Sequence, residues 1–397
     1  MKTMRDLQMR AAIIYAALVF LLTPSVMFAQ VYSVTDIGTL PGECCSAANA
    51  LNFWGRAVGE STDGFLWSHE NGIQNLGTLT GGGYSSATAI NFFGEMAGFS
   101  GTADGNEHAV LLSLHHGVQD LGVLSKATSS DAYGINDFGV VVGDSSSSSG
   151  FDHAFVWTSF TRMVDLGTLP GGSISRAMAI NDAETIVGFS TINKNSQVHT
   201  YHAFLLPPFG GIHDLGTLPG EDNSYGYAVN QFGHVAGESL LSTAGNDHAV
   251  LWTRPSAMSD LGLLPGGTIS VANALNDSDV VVGFADFAGS AGAIHAFQWT
   301  AADGMKDLNS MIPPNSGWTL LEAKGINERG EIVGTGVIQG EEHGFLLIPN
   351  GGGGGQHNLP SSKHAKTNSA TVLYLPNCDQ KGLRGGTVRL GCKRDER

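Results

Sequence analysis

Apolar residues in this chain come in short runs, each closed by Gly, Asn or a Pro-Gly pair, and the runs recur in a fixed order. The clearest copy reads VDLGTLPGGSISRAMAINDAETIVGFS, followed by YHAFLL. Its Ile-Asn step returns at Asn52, Asn91, Asn136, Asn181, Asn230, Asn276 and Asn327, at intervals of 39 to 51 residues. An Asp-Leu-Gly step returns at Asp36, Asn75, Asp120, Asp165, Asp214, Asp260 and Asp307. A His-Ala-Phe step returns at His108, His153, His202, His248, His295 and His343, with Gly64-Phe65 standing in the first unit. A period near 45 residues is what four short strands and their turns require. Each unit divides accordingly. An Ala-x-Ala-Ile-Asn strand comes first, then a Val-Val-Gly strand such as Val140–Gly143, then a His-Ala-Phe-x-Trp strand such as His153–Trp157, then the short step into Asp-Leu-Gly. The Asn-x-x-Gly between the first two, as in Asn136–Gly139, suits a type I turn followed by a left-handed residue.

The ends of the repeat array predict closure. Val31–Asp36 reads as a fourth strand without its first three, and Phe345–Leu347 as a third strand without its fourth. Joined, they complete one blade and hide both sheet edges. An open solenoid would instead need capping units. The expected fold is therefore all-β, a seven-bladed propeller of four-stranded blades whose N-terminal strand completes the last blade. Composition agrees: 55 Gly and 14% charged residues suit tight turns and strands better than helices.

Residues 31–349 hold 9 Lys and Arg against 32 Asp and Glu, whereas 350–397 hold 8 against 3. So acidic a body repels phosphate backbones, which argues against nucleic acid as a partner. Lys2, Arg5 and Arg10 precede an apolar run from Ala11 to Leu22, too short for an ordinary span and of signal-peptide length. Cleavage after Ala29 is expected, although Met27 is large for its position, which leaves an uncleaved anchor open. The expected organisation is a signal peptide at 1–29, the propeller at 30–349, a Gly-rich linker at 350–370 and a basic tail at 371–397 with a small hairpin. No segment after the signal is apolar enough to cross a membrane, and the expected location is secreted, periplasmic or at the cell surface. Four cysteines suit an oxidising compartment. A Cys44–Cys45 bond would be strained, Cys378 and Cys392 could close a loop in the tail, and the spacing does not choose among pairings.

The "DLGTLPGG" of Asp165–Gly172 and the "HAF" at His153, His202 and His295 resemble the bacterial extracellular HAF-repeat family. The resemblance covers residues 31–349, with drift at Gly64 and at Ser125-Lys126. It implies a secreted or surface repeat protein and brings no catalytic residue with it.

Chemistry must then be sought where the repeat departs from itself. Six histidines at one equivalent position would be scattered round a ring, so each is read as orienting a neighbouring loop, and the recurrent Asp as accepting from the following turn. Trp67, Trp157, Trp252 and Trp299 read as core between blades. The sequence shows no zinc spacing, phosphate loop, EF-hand, nucleophile elbow or cofactor motif. Before each Asn, the second and fourth residues are Ala or Gly, but the fifth and third vary. If the first strand lines the channel, Asp131, Arg176, Tyr225 and Glu322 ring its mouth, with Tyr133, Tyr227 and Lys324 nearby. Aromatic and charged groups converging on a concavity form a ligand site, for a glycan or another extracellular protein; the alternative is that they pack between blades. Two functions follow: a non-catalytic binding scaffold, or a propeller hydrolase or lyase acting on glycans at the channel mouth. A cluster of carboxylates around Arg176 would favour the second.

Overall fold

The computed structural model describes residues 31–350, except 148–151, 194–198, 244–245, 255–256 and 290–291. The expected signal peptide, most of the linker, the basic tail and the Cys378–Cys392 pair lie outside the described residues. Seven four-stranded antiparallel sheets make a seven-bladed β-propeller. Blades 1 to 6 span residues 47–75, 85–122, 127–167, 175–214, 223–260 and 270–307. Blade 7 takes Trp318–Ile326, Ile332–Ile338 and Glu341–Pro349 from the end of the array and Tyr32–Gly38 from its start. Tyr32 opposes Pro349 and Asp36 opposes Phe345, so the N-terminal strand completes the last blade.

The repeat residues explain the blade. Ala and Gly, second and fourth before each Asn, let the inner strands of neighbouring blades approach, and the alanines there are at most 2% exposed. Between them every inner strand carries a bulge. Ala87 pairs with Gly98 and Ala89 with Ala97, which leaves Thr88 unpaired. Asn49, Tyr133, Met178, Tyr227, Asn273 and Lys324 stand at the same place in the other blades. A bulge re-aims the side chain it leaves out of the ladder. It also crowds the facing strand. A Cβ on Gly59, Gly98, Gly143, Gly188, Gly237, Gly283 or Gly334 would sit 1.9 Å from the carbonyl oxygen of the fifth residue before Asn. That contact dictates the Gly of each Val-Val-Gly strand.

The recurrent Asn does more than make a turn. Its Oδ1 accepts from backbone N–H groups of its own hairpin, as Asn136 does from Phe138 and Val140. Its Nδ2 donates to the carbonyl of the equivalent Asn in the next blade. These bonds run Asn52 to Asn91, Asn136, Asn181, Asn230, Asn276 and Asn327 and return from Asn327 to Asn52, at 2.9 to 3.3 Å. The fourth turn position is left-handed in every blade, at Gly55, Gly94, Gly139, Gly233 and Gly330 and also at Glu184 and Asp279. A seryl clip repeats further out. Ser175 Oγ accepts from Ala154 N–H of the preceding blade and donates to the Gly167 carbonyl. Ser46 does the same across the closing join, to Gly344 and Gly38.

The histidines, expected to orient a neighbouring loop, bond the aspartate of the outer strand instead. Each His Nδ1 lies 2.6 to 3.1 Å from its Asp-Leu-Gly aspartate: His108–Asp120, His153–Asp165, His202–Asp214, His248–Asp260, His295–Asp307 and His343–Asp36. The same aspartates accept from the N–H two residues on, as Asp165 does from Gly167. Blade 1, which lacks the His, has Asn75 for the Asp, and Asn75 bonds Asp63 instead. Phe65, Phe155, Phe204, Phe297 and Phe345 are fully buried within the blades. Trp67, Trp157 and Trp252 are buried too, and Trp299 packs partly buried against the core.

Because strands alternate in direction, the hairpins joining first to second and third to fourth strands share one end of each blade. The Asn ring sets all blades the same way up. The molecule thus has a hairpin face and, opposite, a connection face carrying the links between blades.

Candidate functional site

The variable positions lie at the connection end of the inner strands. The structure divides them by burial. Tyr133, Tyr227, Glu322 and Lys324 are buried, whereas Asp131, Arg176 and Tyr225 are half-buried. Their contacts fall into three sectors.

The first sector spans blades 2 to 4. Arg176 is held between two carboxylates of blade 3: Nη2 meets Asp152 Oδ2 at 2.5 Å and Nε lies 3.6 Å from Asp144 Oδ1. Asp131 stands across the hairpin from Asp144 and hydrogen-bonds with Glu107 of blade 2. Two carboxyl groups can share a hydrogen bond only if one keeps its proton. Burial, then the negative charges of Glu107 and Asp144, hold the Asp131 carboxyl well above the usual range. Asp144 is pushed up to about 6 by burial, against the opposing pull of Arg176. Asp131 Oδ1 and Asp144 Oδ1 are buried without a hydrogen-bond partner. A buried carboxyl oxygen left so is costly, and a retained proton lowers that cost.

The second sector adjoins it in blades 4 and 5. Tyr225 packs edge-on against Phe189 at 4.9 Å between ring centres, tilts against Tyr201 at 5.7 Å and stacks on Tyr227 at 6.2 Å. The Tyr227 hydroxyl donates to Glu238. Burial raises the Glu238 carboxyl to about 8, so at neutral pH it is mostly protonated. Tyr201 joins the two sectors, since it also feels the charge of Arg176.

The third sector, across the ring, is closed. Lys324 is 1% exposed, 3.9 Å from Glu322 Oε2, and donates to Asn49 Oδ1 at 3.4 Å. Glu322 Oε1 accepts from Asn273, and burial raises its carboxyl to about 7. Glu322 and Lys324 thus pack between blades 6, 7 and 1 and are not placed to meet a ligand. The expectation that they line the mouth is not met, because the neighbouring blades bury both side chains: Asn49 and Asn273 lie against them.

The candidate site is therefore the joined first and second sectors. Its half-buried groups are Glu107, Asp131, Asp152 and Arg176 on one side and Phe189, Tyr201 and Tyr225 on the other, with Asp144 and Tyr133 buried beneath them. Sequence reasoning missed Glu107, Asp144, Asp152 and Glu238. A signal existed for Asp144 and Glu238. They follow the Gly of Val-Val-Gly, a position that otherwise reads Glu60, Phe99, Phe189, Phe284 and Thr335. Glu107 and Asp152 precede the recurrent His, where Asp247 and Glu342 stand too and only Tyr201 and Ile294 differ, so that position carried no signal. Among the described residues, no group of three or more His, Cys, Asp and Glu could hold a metal ion.

No family model matches the chain, and no curated protein matches it. Among solved structures it is similar to the β-propeller domain of the Trilobed protease from Pyrococcus furiosus, with a TM-score of 0.49 and 9% identity over 82% of this chain and 95% of that one. It is also similar to the BP39L lectin from Burkholderia pseudomallei, with a TM-score of 0.37 and 10% identity over 81% and 99%. A mutant of AofleA from Arthrobotrys oligospora matches with a TM-score of 0.37 and 12% identity over 64% and 81%.

Proposed function

We propose that this protein is a secreted or surface binding scaffold of the HAF-repeat type, and that its connection-face site takes an amine-bearing saccharide. One observation carries the reading: carboxyl groups outnumber the single Arg176 in a half-buried site whose other side is aromatic. Tyrosine rings stack on the apolar faces of a pyranose, and the half-buried carboxyl groups of Glu107, Asp131 and Asp152 are the acceptors for its hydroxyl or ammonium groups. With Arg176 already matched by Asp152, the surplus negative charge favours a cationic ligand.

The same cluster supports a second reading. Carboxyls whose proton affinities are driven apart, Asp131 far above its usual range and Asp144 near 6, are the raw material of general acid and base catalysis on glycosidic bonds. Calorimetric titration of the chain with a glucosamine oligosaccharide and its fully N-acetylated counterpart tests both. The binding reading expects saturable heat with the first, at least tenfold weaker binding of the second, and no shortening of either sugar. Loss of at least tenfold in affinity is expected in Tyr225→Ala. Shortened products would move the assignment to the enzyme, and no heat with either sugar would refute the saccharide.

A further inference from the structure

The hairpin face carries a set of rings that the propeller does not need for its core. Phe93, Phe138 and Phe232, on the turns between first and second strands of blades 2, 3 and 5, are 62%, 70% and 71% exposed, and Trp54 on the same turn of blade 1 is 40% exposed. Phe160 and Phe209, on the outer hairpins of blades 3 and 4, are 95% and 91% exposed. Among the described residues, every strongly exposed large apolar side chain except Val164 lies on this face; the remaining two are Leu114 and Val31. The connection face has none of them.

We infer that the hairpin face rests on a lipid bilayer with zwitterionic headgroups, its turn-tip rings seated at the interface. Three observations choose a bilayer over a folded partner. The rings are spread along the turns of five blades: Phe53, Trp54, Phe92 and Phe93 touch one another across blades 1 and 2, while Phe138, Phe209 and Phe232 sit on separate turns of blades 3, 4 and 5. A protein partner would need a matched pocket at each tip, whereas a fluid surface takes each ring where it falls, as aromatic belts do. The second is the path of the chain. Val31 lies at the hairpin end of blade 7, where its carbonyl accepts from Asn350 N–H. Only residues 23–30 separate it from the apolar run Ala11–Leu22. Extended, they reach roughly 28 Å at about 3.5 Å per residue, so that run, where retained in a bilayer, keeps this face beside it. The third is charge. On the seven Asn turns acidic residues outnumber Arg56 and Arg329 by eight to two, a balance that disfavours anionic headgroups over neutral ones.

Trp54 is a built-in probe. Its emission is the difference between the full chain and its Trp54→Phe variant. With phosphatidylcholine vesicles, brominated acyl chains should quench that emission and iodide in the water should lose access to it. Replacing Phe93, Phe138 and Phe232 together by Ser should weaken the bromolipid quenching at least fivefold while the apolar run is still present. Three results would overturn the inference. Trp54 could stay equally open to iodide with vesicles present, even if the chain floats with them. The triple variant could be quenched like the wild type. Or Trp54 could become shielded with rising protein concentration alone, which would mark the face as one that pairs with a second copy.

Discussion

At the hairpin end of the inner strands, seven asparagines do one thing seven times. Each caps its own turn and hands a hydrogen bond to the next blade, until Asn327 returns to Asn52. Five residues upstream on the same strands, no two blades agree: Ala47, Ser86, Asp131, Arg176, Tyr225, Val271 and Glu322. Both levels are largely buried and both are polar in part, so burial does not separate them. What separates them is regularity. At the Asn level the ring geometry supplies a donor and an acceptor to every blade, and a change in one blade would leave its neighbour's carbonyl unpaired. At the upstream level the partners differ from blade to blade: Arg176 meets Asp144 and Asp152, Tyr225 meets rings, and Glu322 accepts from Asn273. Repetition marks the part that holds the ring together, and variation marks the part available for chemistry.

That contrast can be broken most severely at the glycine that faces both levels. In Gly188→Ala the new Cβ would meet the Arg176 carbonyl, backbone against backbone, with no flexible atom to yield. We expect a loss of more than about 4 kcal/mol, read as failure to give a cooperative melting transition under conditions where the wild type does. A stable variant would mean that the bulge can be relinquished.

The upstream level should respond to pH through Glu238. Glu238 ionises near 4.5 in the unfolded chain and near 8 in the folded one. Below pH 4.5 both states are neutral and nothing is lost. As pH rises from there the unfolded chain releases its proton first, so stability falls through the window up to about 8 and is level above it. The cost at pH 8 is on the order of 4 kcal/mol. Glu238→Gln, which keeps an acceptor for Tyr227, should therefore raise the melting temperature by about 5 °C at pH 8 and leave it unchanged at pH 4. Equal effects at both values would show that Glu238 is charged in the fold.

The smallest effect is expected where the repeat is conspicuous but wet. The His202–Asp214 pair is at most part-buried, its aspartate side chain 43% exposed, and Asp214 also accepts from Gly216. His202→Ala should cost no more than about 1 kcal/mol by urea denaturation. A larger loss would move the histidines from ornament of the outer strand to its support.

Much of the fold was legible in the sequence because a ring repeats its constraints. The Asn anchors, the Val-Val-Gly strand and the split last blade each stand in plain register, and the split blade closes as its two fragments require. What could not be read was direction. Glu322 and Arg176 occupy the same repeat position, yet one is buried beside Lys324 and the other is half-open between Asp144 and Asp152. The difference depends on what the neighbouring blade presents, and periodicity is blind to that. The bulge was equally hidden, since an extra residue in one strand leaves the spacing of Asn and Gly intact. Asp144 and Glu238 were missed because attention rested on one strand, whereas the site is made by cross-strand pairs.

The most direct test pairs one change at each level, with stability and saccharide binding measured on both. Asn181→Asp keeps the acceptor that caps the turn to Thr185 and removes the donor to the Asn230 carbonyl. Tyr225→Ala removes part of the aromatic side of the candidate site. The account predicts that Asn181→Asp melts earlier and binds the glucosamine oligosaccharide as the wild type does, while Tyr225→Ala melts within a few degrees of wild type and loses at least tenfold in affinity. Binding lost in Asn181→Asp but kept in Tyr225→Ala would contradict it.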